Sequence, residues 1–139
     1  MTEVLFYISE TPGIRATLAG RIADKAWRQQ RQVYIHLPDR EQALAFSDQL
    51  WQSALCPFLP HVLQDDPGAG QSPIVLGFTD QPGECHDVLI NLAAEVPDFY
   101  GRFSRVAEMI CGDPSLRTEG RARWSFYRDR GYPVRSHTL

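Results

Sequence analysis

Apolar positions along this chain alternate between a strand rhythm and a helix rhythm. The run 4–8 (VLFYI) is short, β-branched and aromatic, which predicts a buried strand. Thr11-Pro12-Gly13 breaks it. Leu18, Ile22, Ala23, Ala26 and Trp27 follow at helical spacing with Arg21, Lys25 and Arg28 between them, an amphipathic helix over about 14–30. Residues 33–37 (VYIHL) predict a second strand. Asp39 then reads as an N-cap, with Gln42 at the fourth position of a capping box. Ala43, Leu44, Phe46, Leu50 and Trp51 give the next helix its apolar stripe.

Pro57 and Pro60 keep the apolar segment 57–61 out of a helix, and 65–73 (DDPGAGQSP) is a surface loop. Runs 74–78 (IVLGF) and 88–92 (VLINL) are a third and a fourth strand. Pro97 to Tyr100 resembles a helix start that Phe103, Val106 and Ile110 continue, although 105–111 could also contain an edge strand. Ser115 is expected to cap a last helix over about 116–130, with Gly131 ending it. The tail 132–139 is expected to be irregular. Alternating strands and helices predict an α/β fold with a mostly parallel sheet flanked by helices.

With 139 residues, no internal repeat and no linker, one domain over 1–139 is expected. No apolar run approaches a membrane span, and the N-terminus lacks the pattern of a signal peptide. Cys56, Cys85 and Cys111 are odd in number and widely spaced, which fits a reducing, cytoplasmic setting. The net charge of −3 is unevenly spread. From Arg117 onward six arginines face only Glu119 and Asp129, so the tail carries +4 on a body of −7. That bipolarity points either to an anionic partner for the tail or to an arginine-rich helix face that is simply solvated.

The motifs that would make the chain an enzyme are missing. The loop after the first strand, Ser9 to Arg15, has no glycine-rich phosphate cradle, and Glu10 would repel a phosphate. No nucleophile elbow is present. Cys85 and His86 are sequence neighbours, which in a strand point to opposite faces. His36, His61, His86 and His137 are scattered without metal-ligand spacing. Neither a cofactor nor a metal is expected.

Interaction surface remains. In the last helix Arg117, Arg121, Trp124 and Arg128 fall at i, i+4, i+7 and i+11, on one face. Guanidinium forks grip carboxylates, and an indole offers an aromatic wall. The stripe suits an acidic, aromatic peptide with a C-terminal carboxylate. It also suits single-stranded nucleic acid, with phosphates on the arginines and a base on Trp124. A second candidate surface joins Trp51 to Phe58-Leu59-Pro60, with internal packing of the same residues as the alternative.

Several of these pieces, in this order, are similar to the chi subunit family of bacterial DNA polymerase III. They are Phe6-Tyr7, Ala26-Trp27-Arg28, Leu50-Trp51, the segment Phe58-Leu59-Pro60-His61, the strand 87–92 (DVLINL), and 121–128 (RARWSFYR) followed by Gly131. The resemblance implies a Rossmann-like fold without nucleotide binding or catalysis. It implies a bridge between the psi subunit of the clamp-loader complex and the acidic, phenylalanine-ending C-terminal tail of single-stranded DNA-binding protein, with DNA contacted only indirectly. Psi docking then falls on Trp51, Phe58, Leu59 and Pro60. Tail docking falls on Arg117, Arg121, Trp124 and Arg128, with Ile110 as an apolar neighbour and Arg123 nearby. Trp124 stands where related chains can carry tyrosine, and Ser125 where a lysine can occur.

Overall fold

The computed structural model describes residues 2–11, 13–52 and 59–139. Its strands are β1 (Glu3–Ile8), β2 (Val33–His36), β3 (His61–Leu63), β4 (Ile74–Gly77), β5 (Val88–Asn91), β6 (Arg105–Ile110) and β7 (Val134–Thr138). Its helices are α1 (Arg15–Arg28), α2 (Arg40–Gln52) and α3 (Pro114–Asp129). The strands form one open sheet in the order β3-β4-β2-β5-β6-β1-β7. Every neighbouring pair is parallel.

The period-2 alternation sorts side chains onto two cores. On one face Val33, Ile35, Ile74, Leu76, Ala107 and Met109 pack beneath α1 and α2. On the other, Val4, Phe6, Tyr34, Leu89 and Val106 pack beneath α3 and the 99–103 segment. Helices cover both faces, so β5 is buried along its whole length, as the run 88–92 suggested.

Four expectations are corrected. Residues 105–110 are neither helix nor edge: β6 lies between β5 and β1 at the centre of the sheet. The helical spacing of Phe103, Val106 and Ile110 was accidental, because Phe103 belongs to the preceding loop and only the single 3-10 turn Tyr100–Arg102 is helical there. The tail is not irregular but forms β7, a polar strand because it is an edge. His61–Leu63 forms the opposite edge strand, too short for periodicity to register. Finally, α3 is capped by Asp113, whose Oδ1 accepts from the Ser115 N–H at 2.9 Å, with Pro114 in the first turn.

Asp39 stands as the N-cap of α2: its Oδ1 accepts from the Gln42 N–H at 2.8 Å. The reciprocal half of the capping box is not formed, because Gln42 Nε2 donates to the Asp39 carboxylate at 3.4 Å instead of the Gln42 side chain accepting from the Asp39 N–H. Gly131 follows α3 with φ +81°, a conformation that favours glycine at this position.

Candidate functional site

The last helix is locked to the sheet by a buried polar cluster. Glu108 of β6 is fully buried among apolar neighbours. Its carboxylate accepts from Arg123 Nε at 2.8 Å, from the Tyr127 hydroxyl at 2.7 Å and from Asn91 Nδ2 at 2.9 Å. Arg123 also donates to the Ala94 and Met109 carbonyls at 3.0 and 3.1 Å. Burial pushes the Glu108 carboxyl above its ordinary pKa, and the Arg123 guanidinium opposes that push. Arg123 and Tyr127, both on α3, bond this one buried carboxylate, which fixes the rotation of α3 about its axis.

Gly120 sets how closely that helix approaches. A Cβ on it would lie 2.5 Å from Ile110 Cγ1. Glycine inside a helix costs about 1 kcal/mol against alanine. Here it allows α3 to lie directly on the C-terminal end of β6.

This placement opens a groove of about 950 Å³ at the carboxyl ends of β1, β6 and β7. Ile8 and Ile110 are its apolar residues from the strands, and Arg117, Arg121, Trp124, Ser125 and Arg128 line it from α3. Glu10, Thr11, Thr138 and Leu139 complete the rim. Trp124 is half-buried, with its ring 4.9 Å from Phe6, so the core supports it from behind. Among the described residues Arg117 and Arg121 have no ion-pair partner, while Arg128 meets only its exposed neighbour Asp129 at 3.3 Å. A concave site with an apolar floor and unpaired guanidinium forks can seat an apolar side chain and hold a carboxylate.

The helical stripe therefore brings Arg117, Arg121, Trp124 and Arg128 together, with Ile110 beneath them. Arg123 does not join them. It is 6% exposed and spends its guanidinium on Glu108, so it orients the helix rather than facing the groove. Sequence reasoning missed Glu108, although a lone acid in the apolar run 105–111 signals a buried partner. It also missed Ile8, Thr138 and Leu139. The tendency of open parallel sheets to place ligands at the carboxyl ends of their strands could have found Ile8, at the end of the first predicted strand, but not Thr138 and Leu139, whose strand left no periodic signal.

The second surface is only partly in view. Phe58 lies outside the described residues. Trp51 is 54% exposed, its ring 4.4 Å from His61. The His61 Nδ1 donates to the Leu59 carbonyl at 2.8 Å, so Nε2 accepts from the Ser47 hydroxyl at 2.9 Å. Leu59 is core, at 2% exposure, and cannot itself be a docking contact, whereas Pro60 is half-buried. Burial holds the His61 pKa below the ordinary imidazole value.

Other chemistry is sparse. Among the described residues no group of three or more metal-ligating side chains occurs. Burial raises the Cys85 thiol to about 11, the opposite of what a nucleophile needs. No described helix is long and apolar enough to cross a membrane.

Comparison with known proteins is consistent along the chain. Residues 1–135 match the family described as DNA polymerase III chi subunit, HolC. A protein of Pseudomonas aeruginosa named DNA polymerase III subunit chi is 41% identical over 141 aligned residues, covering 100% of this chain and 98% of that protein. A protein of Haemophilus influenzae with the same name is 30% identical, covering 88% of this chain and 85% of its own length.

Proposed function

The chain belongs to the DNA polymerase III chi subunit family, and from that premise we propose that it is a non-catalytic accessory subunit joining two partners during DNA replication. One partner is the psi subunit of the clamp-loader complex, taken at the surface around Trp51 and Pro60. The other is the acidic C-terminal tail of single-stranded DNA-binding protein, taken in the groove under α3.

The observation that carries this reading is the pairing of unpartnered guanidinium groups with an apolar floor. Arg117 and Arg121 line the same cavity as Ile8, Ile110 and Trp124. A peptide ending in an aromatic residue satisfies both halves at once: its side chain fills the floor and its carboxylate meets the forks. Single-stranded nucleic acid meets the arginines with phosphates and Trp124 with a base, but a long polyanion faces a chain whose net charge is −3. Glu10 on the rim also repels a phosphate run. Direct binding of single-stranded nucleic acid is therefore the weaker reading of the same residues.

Bridging is tested by sedimentation of the purified chain with psi and full-length single-stranded DNA-binding protein. One particle containing all three is expected. Trp51→Ala should release psi alone, and Arg121→Ala should release the DNA-binding protein alone. Mutually exclusive binding of the two partners would refute the bridge.

A further inference from the structure

The edge of the sheet beside the groove is open. β7 pairs with β1 on one side, and among the described residues nothing pairs with its other side. Its inward and outward groups can be assigned. The Leu139 N–H donates to the Ile8 carbonyl at 2.8 Å. Backbone groups in a parallel ladder alternate sides along the strand. Arg135 and His137 therefore turn their N–H and C=O toward β1, while Ser136 and Thr138 turn theirs outward.

We infer that this edge receives the residues upstream of the groove-bound C-terminus as an eighth, parallel strand. The inference rests on the groove reading and extends it. Direction supports it first: a peptide running parallel to β7 delivers its C-terminal end where β7 ends. Thr138 and Leu139 of that end line the groove that holds Arg117 and Arg121. An antiparallel peptide would bring its amino end there, against the arginines.

Charge supports it second. Arg135 is exposed and has no ion-pair partner among the described residues. His137 lies two residues on, on the same face of the strand, its ring 6.2 Å from Tyr7. Glu10 on the groove rim is the opposing charge. An edge carrying an unpaired arginine resists pairing with a basic edge and favours an acidic one. The occupant is thus an extended acidic segment of about five residues, matching the five of β7. Its acids sit at alternate positions, beside Arg135 and His137. Main-chain hydrogen bonds add affinity, and the groove selects the terminus.

The test compares two probes that end in the same phenylalanine, an acidic peptide of about nine residues and a truncated one of about three, a difference longer than one β7-sized strand. The long peptide should bind about tenfold tighter, and should protect the Ser136 and Thr138 amides from hydrogen exchange where the short one does not. N-methylation of those peptide amides that face β7 should remove the advantage, while methylation of the intervening amides should not. In the protein, Ser136→Pro removes an outward N–H that the sheet itself does not use. It should bring the long peptide down to the affinity of the short one and leave the short one unchanged. Equal binding of all methylated peptides, with no protection at Ser136 and Thr138, would overturn the edge-strand inference while leaving the groove intact. Absence of binding by both peptides to the unmodified chain would instead overturn the groove reading, and the inference with it.

Discussion

Gly120 of α3 faces Ile110 of β6 so closely that a methyl group has no room between them: the added carbon would lie 2.5 Å from Ile110 Cγ1. That contact holds the arginine stripe over the end of the sheet. Gly120→Ala gains about 1 kcal/mol of helix propensity. It then forces an overpacked contact costing about 1–3 kcal/mol. The expected outcome is a lowered melting temperature together with weaker binding of an acidic peptide, because lifting α3 widens the groove. Thermal unfolding and calorimetric titration check the two effects separately.

Arg123 and Glu108 form the opposite side of the same helix contact, an ion pair at 2.8 Å with both side chains buried. Arg123→Met leaves the Glu108 carboxylate in the core without its cation. The expected loss is about 3–5 kcal/mol in denaturant unfolding. Adding Glu108→Leu should recover part of that loss, since removing both charges costs less than stranding one.

His36 gives the fold an acid-sensitive position. Its Nδ1 is buried without a partner among the described residues, and burial holds its pKa below the usual value. His61 is shifted in the same direction by burial. The unfolded chain protonates both imidazoles near about pH 6.5. The folded chain takes up those protons only at lower pH. Their stability contribution is thus complete above that value and is lost as pH falls toward the folded pKa. His36→Phe, which keeps the ring between Tyr34 and Phe99, should flatten the decline. Melting temperatures measured across the acid range check it.

Trp51 and the α3 groove are carried by different elements. Trp51→Ala should therefore leave acidic-peptide affinity within about twofold while lowering psi capture at least about tenfold, the size expected for an interface tryptophan. Parallel titrations of the two partners check this.

The strands and helices that sit in the core were legible in the sequence because burial on one or both faces imposes a period. The runs 4–8, 33–37, 74–78 and 88–92 each became a strand. Edges were not legible: β3 is three residues long, and β7 is a solvent-facing strand of polar residues. The centre of the sheet misled for another reason. β6 carries Glu108, a charge that local propensity rejects and that only Arg123, Tyr127 and Asn91 make tolerable. Spacing gathered Arg117, Arg121, Trp124 and Arg128 on one face of a helix. It could not show that Arg123, one residue before Trp124, turns inward, because a charged residue inside a basic run carries no mark of its partner. Nor could it show the contribution of Ile8, Thr138 and Leu139, which reach the groove only through the strand order.

The central claim is that unpaired guanidinium groups under α3 hold a peptide carboxylate. Its most direct test is calorimetric titration of the chain with an acidic peptide ending in phenylalanine, as the free acid and as the C-terminal amide. The free acid should bind in the micromolar range, on the order of −8 kcal/mol, and weaken as salt is raised. Amidation, or Arg117→Ala combined with Arg121→Ala, should lower the affinity at least about tenfold, as loss of a charge-assisted bidentate contact requires. Equal binding of acid and amide, unchanged in the double variant, would contradict the account.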